Sequence, residues 1–180
     1  CHPLRILKDV KISFKIGTSE AYSSASLNPQ VIIEPESITH IYHVGEAVIE
    51  EVIFGEHQLP CGAIHYRIDS KEPVEILCTA LVDLRLMWPL NEQDSGSLQY
   101  AWDDELRGFV VTNQNSELVS IIGCSLSPAE HSAGQFSAIM EKENKLVGEP
   151  TEAIYVAIGL RLRLNEKHPQ CTFAFAGSNR

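Results

Sequence analysis

The sequence predicts an all-β chain folded as an antiparallel two-sheet sandwich. Three observations carry that expectation. Apolar and polar residues alternate with a period of two along most of the chain, which is the mark of half-buried strands. No long stretch has the 3.6-residue periodicity of an amphipathic helix. Clusters of Gly, Pro, Asn and Ser cut the alternation into short segments joined by tight turns. The 180 residues, 44% hydrophobic and 21% charged, suffice to bury roughly 70% of the unfolded surface around one core without cross-links. One domain over 1–180 is the default.

The first strand is expected over residues 10–16, where Val10, Ile12, Phe14 and Ile16 alternate with Lys11, Ser13 and Lys15. Residues 17–29, rich in Ser and closed by Asn28-Pro29, read as a loop. Two strands follow over 30–34 and 37–44, and Gly45 breaks the run. In 47–54, Val48, Val52 and Phe54 share one face and Ile49 and Ile53 the other, suggesting a strand covered on both sides. Residues 63–68 set Ile64, Tyr66 and Ile68 against His65 and Arg67.

The run 74–86 places Val74, Ile76, Cys78, Ala80, Val82, Leu84 and Leu86 on one parity. That is more than twice the usual strand length, so the strand should twist and bend across a large sheet. Trp88-Pro89 ends it, and 91–97 is a turn by composition. Segments 98–102, 108–112 and 118–124 read as a meander, and 134–141 as a further strand. Residues 142–150 are polar enough for an exposed loop. Ile154, Val156, Ile158, Leu160, Leu162 and Leu164 form a penultimate strand, and 172–176 returns.

A net charge of −10 repels phosphate backbones, and no basic cluster reverses this locally, so neither nucleic acid nor a membrane is an expected partner. The five cysteines are odd in number, widely spread and without a CxxC pair. Buried free thiols are the simplest reading, favouring a reducing, cytoplasmic compartment. The chain opens on Cys1 and stops at Arg180 just after a strand-like run, which reads as a fragment of a longer enzyme whose targeting signals could lie elsewhere.

No GxSxG, Gly-Lys-Ser/Thr or GxGxxG motif is present, so serine-hydrolase, phosphate-loop and dinucleotide chemistry lose their usual support. His40 and His43 have HxxH spacing, but on a strand that sends them to opposite faces, and no metal or other cofactor is expected. Glu50-Glu51 and Asp103-Asp104-Glu105 are paired carboxylates, the raw material of glycoside hydrolysis. Adjacent strand residues point apart, however, and acidic turns are ordinary solvated features, so no catalytic residue is assigned. Trp88, Tyr100 and Trp102 gather beside Asp103 and Asp104. Aromatic faces stack on sugar C–H faces while carboxylates accept hydroxyl hydrogen bonds, making these five the candidate carbohydrate or interdomain contact. Capping of the core by Trp88 and Trp102 is the competing reading. Arg161 and Arg163 share a strand face and are expected to pair with acidic residues across the sheet.

The order of three segments is also familiar: Tyr42 to Ile53 (YHVGEAVIEEVI), the long strand ending Asp83-Leu84-Arg85-Leu86-Met87-Trp88-Pro89, and Leu98-Gln99-Tyr100-Ala101-Trp102-Asp103. It resembles the N-terminal super-sandwich domain of glucoamylase-like and glycogen-debranching-like glycoside hydrolases. The close, Arg161-Leu162-Arg163-Leu164 and then Phe173 to Gly177, is similar to the last hairpin before those enzymes enter their helical barrel. The resemblance implies a galactose-mutarotase-like two-sheet domain that supports and shapes the substrate cleft for α-glucans. It also implies that the acid and base belong to an (α/α)6-barrel catalytic domain of the same polypeptide, beyond Arg180.

Three classes of function follow. A substrate-shaping module should expose a face for a helical partner. A free-standing aldose epimerase or mutarotase should bring a His and a Glu together in a concave pocket. A carbohydrate-binding sandwich should expose aromatics in a row. For the first class, Leu77, Leu81 and Met87, with Trp88 and Trp102, are the expected apolar docking patch, which would promote self-association in the isolated chain.

Overall fold

A computed structural model describes residues 4–56, 58–86, 97–114, 117–151 and 155–179. Fifteen strands follow one another, with a single 3₁₀ turn at Ser24–Ser26 as the one helical element among the described residues. They are β1 (Leu4–Ile16), β2 (Tyr22–Ser23), β3 (Gln30–Ile33), β4 (Ser37–Val44), β5 (Ala47–Gly55), β6 (Cys61–Asp69), β7 (Val74–Leu86) and β8 (Leu98–Asp103). Then come β9 (Gly108–Asn113), β10 (Leu118–Cys124), β11 (Glu130–Gly134), β12 (Phe136–Lys142), β13 (Lys145–Pro150), β14 (Val156–Leu164) and β15 (Gln170–Asn179).

These form an antiparallel sandwich. One sheet has the order β11-β14-β7-β1-β2, and the other the order β3-β4-β5-β6-β15-β10-β9-β8. Alternate side chains of both fill the space between them. Phe14, Val74, Ile76, Val82, Leu84, Leu160, Leu162 and Leu164 come from the smaller sheet, and Ile49, Tyr66, Val111 and Phe173 from the larger. Burying such apolar area is the main force holding the layers together.

Several local expectations need correction. The long strand β7 lies in the smaller sheet, between β1 and β14. Strand β1 begins at Leu4, because a bulge at Asp9 (φ 51°) interrupts its alternation, and Val10 at that irregularity is 43% exposed instead of inward. Strand β5 is covered on one face only: Ala47, Ile49 and Glu51 are buried, while Val48 and Val52 are half-buried and Phe54 is exposed. Strands β8, β9 and β10 pair in sequence as the meander that the turn spacing predicts, and β11 adds a strand that composition does not suggest.

The largest difference is at residues 142–150. They are not a loop, since β13 pairs with β12 through a two-residue turn at Glu143 and Asn144, both with positive φ (51° and 60°). Positive φ at both central residues is what a type I′ hairpin turn requires. This hairpin lies on the outer face of the smaller sheet. Its Ile139 and Leu146 pack with Ala157, Leu77, Leu81 and Phe136 in a second apolar cluster. Leu77 and Leu81 are therefore covered by the chain itself, which removes them from the expected docking patch. Met87 lies outside the described residues.

The Phe136 ring fits because Gly134 and Gly148 lack side chains; a Cβ on either would run into it. Gly148→Ala is accordingly expected to cost about 1–3 kcal/mol through overpacking. The cost should appear as a lower urea midpoint with increased dye binding at the uncovered Leu77 and Leu81.

Candidate functional site

The inner face of the larger sheet carries a buried carboxylate. Register sets Glu51 of β5 opposite His40 of β4 on one side and Tyr66 of β6 on the other, with Tyr42 two residues along β4 on the same face. Glu51 Oε1 lies 2.7 Å from His40 Nδ1 and accepts the Tyr42 hydroxyl at 3.1 Å; its Oε2 accepts a short hydrogen bond from Tyr66. Phe14 of β1 closes the cluster from the opposite sheet, with ring centroids 5.1 Å from Tyr42 and 6.0 Å from Tyr66. Glu51 is 4% exposed, and of the four side chains only His40 reaches the surface appreciably, at 24%.

A lone carboxylate at this depth would be expensive, and three converging donors offset that cost. Chemically, the arrangement is a His–Glu pair backed by two phenols. Both carboxylate oxygens are already engaged, so a substrate hydroxyl would have to displace a protein donor to use Glu51 as a base. Burial, and then the charge of Glu51, push the hydroxyls of Tyr42 and Tyr66 well above the ordinary phenol range.

A cleft of about 410 Å³ lies elsewhere, at one end of the sandwich. It is lined by Ile16, Thr18, Tyr22, Glu46, Lys71 and Glu72 among others, and by none of the four cluster residues. A His and a Glu thus converge, as the mutarotase reading requires, but outside that cleft.

The candidates around the β8–β9 turn are placed as follows. Trp102 stacks on His131 with centroids 3.8 Å apart and planes 8° from parallel, and meets Phe109 edge-on at 5.0 Å. Its indole N–H donates to Asp104 Oδ1 at 2.8 Å. Trp102 therefore spans from β8 in one sheet to β11 in the other and has one ring face occupied. Asp103 Oδ1 accepts the main-chain N–H groups of Glu105 and Leu106, fastening its own turn. Tyr100, 41% exposed, stands on the edge strand. Trp88 lies outside the described residues.

The remaining charged residues build structure. Arg161, 3% exposed, reaches Glu75 Oε2 at 3.3 Å, Glu141 Oε1 at 3.1 Å and Glu130 Oε2 at 3.4 Å, and Arg163 reaches Glu75 Oε1 at 2.8 Å. The expected pairing across the sheet is present, joined by a carboxylate from the hairpin. Buried Asp83 lies 2.9 Å from Arg5 Nε and 3.0 Å from Arg85 Nε. His40 and His43 occupy opposite faces of β4, and among the described residues no three His, Cys, Asp or Glu side chains are grouped to hold a metal.

Cys61, Cys78, Cys124 and Cys171 are free thiols. Burial pushes Cys78 and Cys171 up to about 12 and Cys124 up to about 11, from the 9.0 of an ordinary thiol. A raised folded value gives stability that is complete below about pH 9 and lost as pH climbs toward 12, because the unfolded chain ionises first. Urea midpoints should therefore fall steadily from pH 9 to pH 11. A flat profile would show that the thiols titrate alike in both states.

The chain matches no family model and no curated protein. Among solved structures it is similar to one described as a kojibiose phosphorylase from the human microbiome, with a TM-score of 0.52 and 10% identity. The likeness covers 96% of this chain and 22% of that one. At that identity it establishes the fold. Among the described residues no helix is long and apolar enough to cross a membrane.

Proposed function

We propose that this chain is the β-sandwich domain of a larger carbohydrate-active enzyme, N-terminal to an (α/α)6-barrel catalytic domain whose α-glucan cleft it supports and shapes. The observation that carries this reading is the extent of the fold likeness: nearly all of this chain aligns with about a fifth of a phosphorylase named for a glucose disaccharide. In this reading residues 1–180 are one domain of a cytoplasmic enzyme of glucoamylase or glycogen-debranching type. Tyr100, Trp102, Asp103 and Asp104 face the barrel or its oligosaccharide. The chain itself supplies no catalytic residue. The gene sequence after the codon for Arg180 tests the proposal. Several hundred further codons with helical periodicity are expected; a stop codon, or a region of different character, would overturn it.

A second reading has one specific observation in its favour, the convergence of His40 and Glu51. On it the chain is an aldose epimerase or mutarotase in its own right. Engagement of both Glu51 oxygens by protein donors weighs against it.

A further inference from the structure

The larger sheet ends on β3, and that edge has the features of a pairing surface. All four of its residues are exposed, with Val31 at 51%, Ile32 at 42% and Ile33 at 77%. Beyond it, Glu34 and Ser37 exchange main-chain hydrogen bonds in both directions. Antiparallel ladders alternate, so Ile32 bonds to Thr39 and Gln30 to Ile41, while Val31 and Ile33 turn their N–H and C=O groups away from β4. Their side chains fall on the sheet's inner parity, where Ile33 stands opposite the exposed Ile38. Gln30–Ile33 itself holds no lysine, proline or bulge, but at four residues it is short, and Pro29 and Pro35 just outside it confine any added pairing to residues 30–34.

We propose that this edge pairs with the same edge of a second copy of the chain, in the antiparallel register whose two-fold axis passes through Ile32. The register is self-complementary. Val31 faces Ile33 of the second copy and Ile33 faces its Val31, so each outward N–H meets an outward C=O in two closely bonded pairs. Charge fits as well: Glu34 falls opposite the amide of Gln30, and no like charges are directly opposed although each chain carries −10. The same side of both sheets stays inward, so Val31, Ile33 and Ile38 of the two copies form one apolar strip. Four residues a side bury far less than the roughly 1,200 Å² of a stable interface. The dimer is accordingly weak, concentration-dependent, and strengthened by salt that screens the two net charges.

Sedimentation over about 10 μM to 1 mM protein, a range bracketing weak affinities, should show the mass rising from 20.0 kDa toward twice that value, and more so in added salt. Val31→Pro removes an outward N–H without touching a β3–β4 bond, and should leave circular dichroism unchanged and the protein monomeric throughout. Ile32→Cys places thiols across the axis with Cα atoms about 4.5 Å apart, within disulfide reach. Mild oxidation should give a disulfide dimer well above the unsubstituted chain treated alike. Gln30→Cys sets the thiols four residues out of register, roughly 13 Å apart, and should give none. A chain that stays monomeric, a dimer that survives Val31→Pro, or cross-linking equal in Ile32→Cys and Gln30→Cys would overturn the proposal.

Discussion

Replacing Arg161 with alanine is expected to lower stability by about 3–5 kcal/mol, the range for stranding buried charge. Arg161 sits between the smaller sheet and its covering hairpin, facing carboxylates from β7, β11 and β12. Its removal leaves Glu75, Glu130 and Glu141 close together beneath the hairpin, with the exposed Arg163 as the remaining ion-pair partner of Glu75. Lysine should recover part of the loss, since a point charge cannot meet three separate carboxylates as a planar guanidinium does. Arg163→Ala is the control. Its side chain is 64% exposed, so the expected cost is at most about 1 kcal/mol. Denaturant titration of the three variants gives the comparison, and near-equal costs for Arg161→Ala and Arg163→Ala would contradict the account.

Glu51→Ala should be nearly as damaging, at about 2–5 kcal/mol, because it strands the Tyr66 hydroxyl beside Phe14 without its acceptor and leaves Tyr42 the longer 3.5 Å contact with His40 Nδ1. Glu51→Gln keeps one acceptor oxygen but turns an N–H₂ group toward a donor, so a smaller loss is expected. It also separates burial from charge. With the negative charge gone, Tyr42 and Tyr66 should ionise at lower pH than in the parent chain, yet still above free tyrosine because burial persists. Ultraviolet titration of the phenols reads this shift. Phenols that ionise at the same pH in both proteins would show that Glu51 exerts no field on them.

Much of the sandwich was legible because strand periodicity is local. Residues 74–86 announce themselves through seven apolar residues on one parity, and Gly45 (φ 61°) marks the turn between β4 and β5. That turn also held the unread clue to the site. A two-residue hairpin loop at Gly45-Glu46 forces pairs whose numbers sum to 91, which puts His40 opposite Glu51. Glu50 and Glu51 adjoin along the strand, where they point apart, and the partners that build the cluster lie across it. Tyr66 was less accessible, since β5 and β6 are joined by a longer loop whose length does not dictate register. The hairpin over Leu77 and Leu81 escaped because residues 142–150 have few apolar residues and are held by turn geometry and by glycines that admit Phe136. Composition records neither.

The supporting-domain account is tested most directly by following the interconversion of glucose anomers with the purified chain and its Glu51→Gln variant, alongside hydrolysis of an α-glucoside. The account predicts background rates for both proteins in both assays. Accelerated anomer interconversion by the parent chain that survives repurification and disappears in a folded Glu51→Gln variant would contradict it, and would make the His40–Glu51 pair an active site.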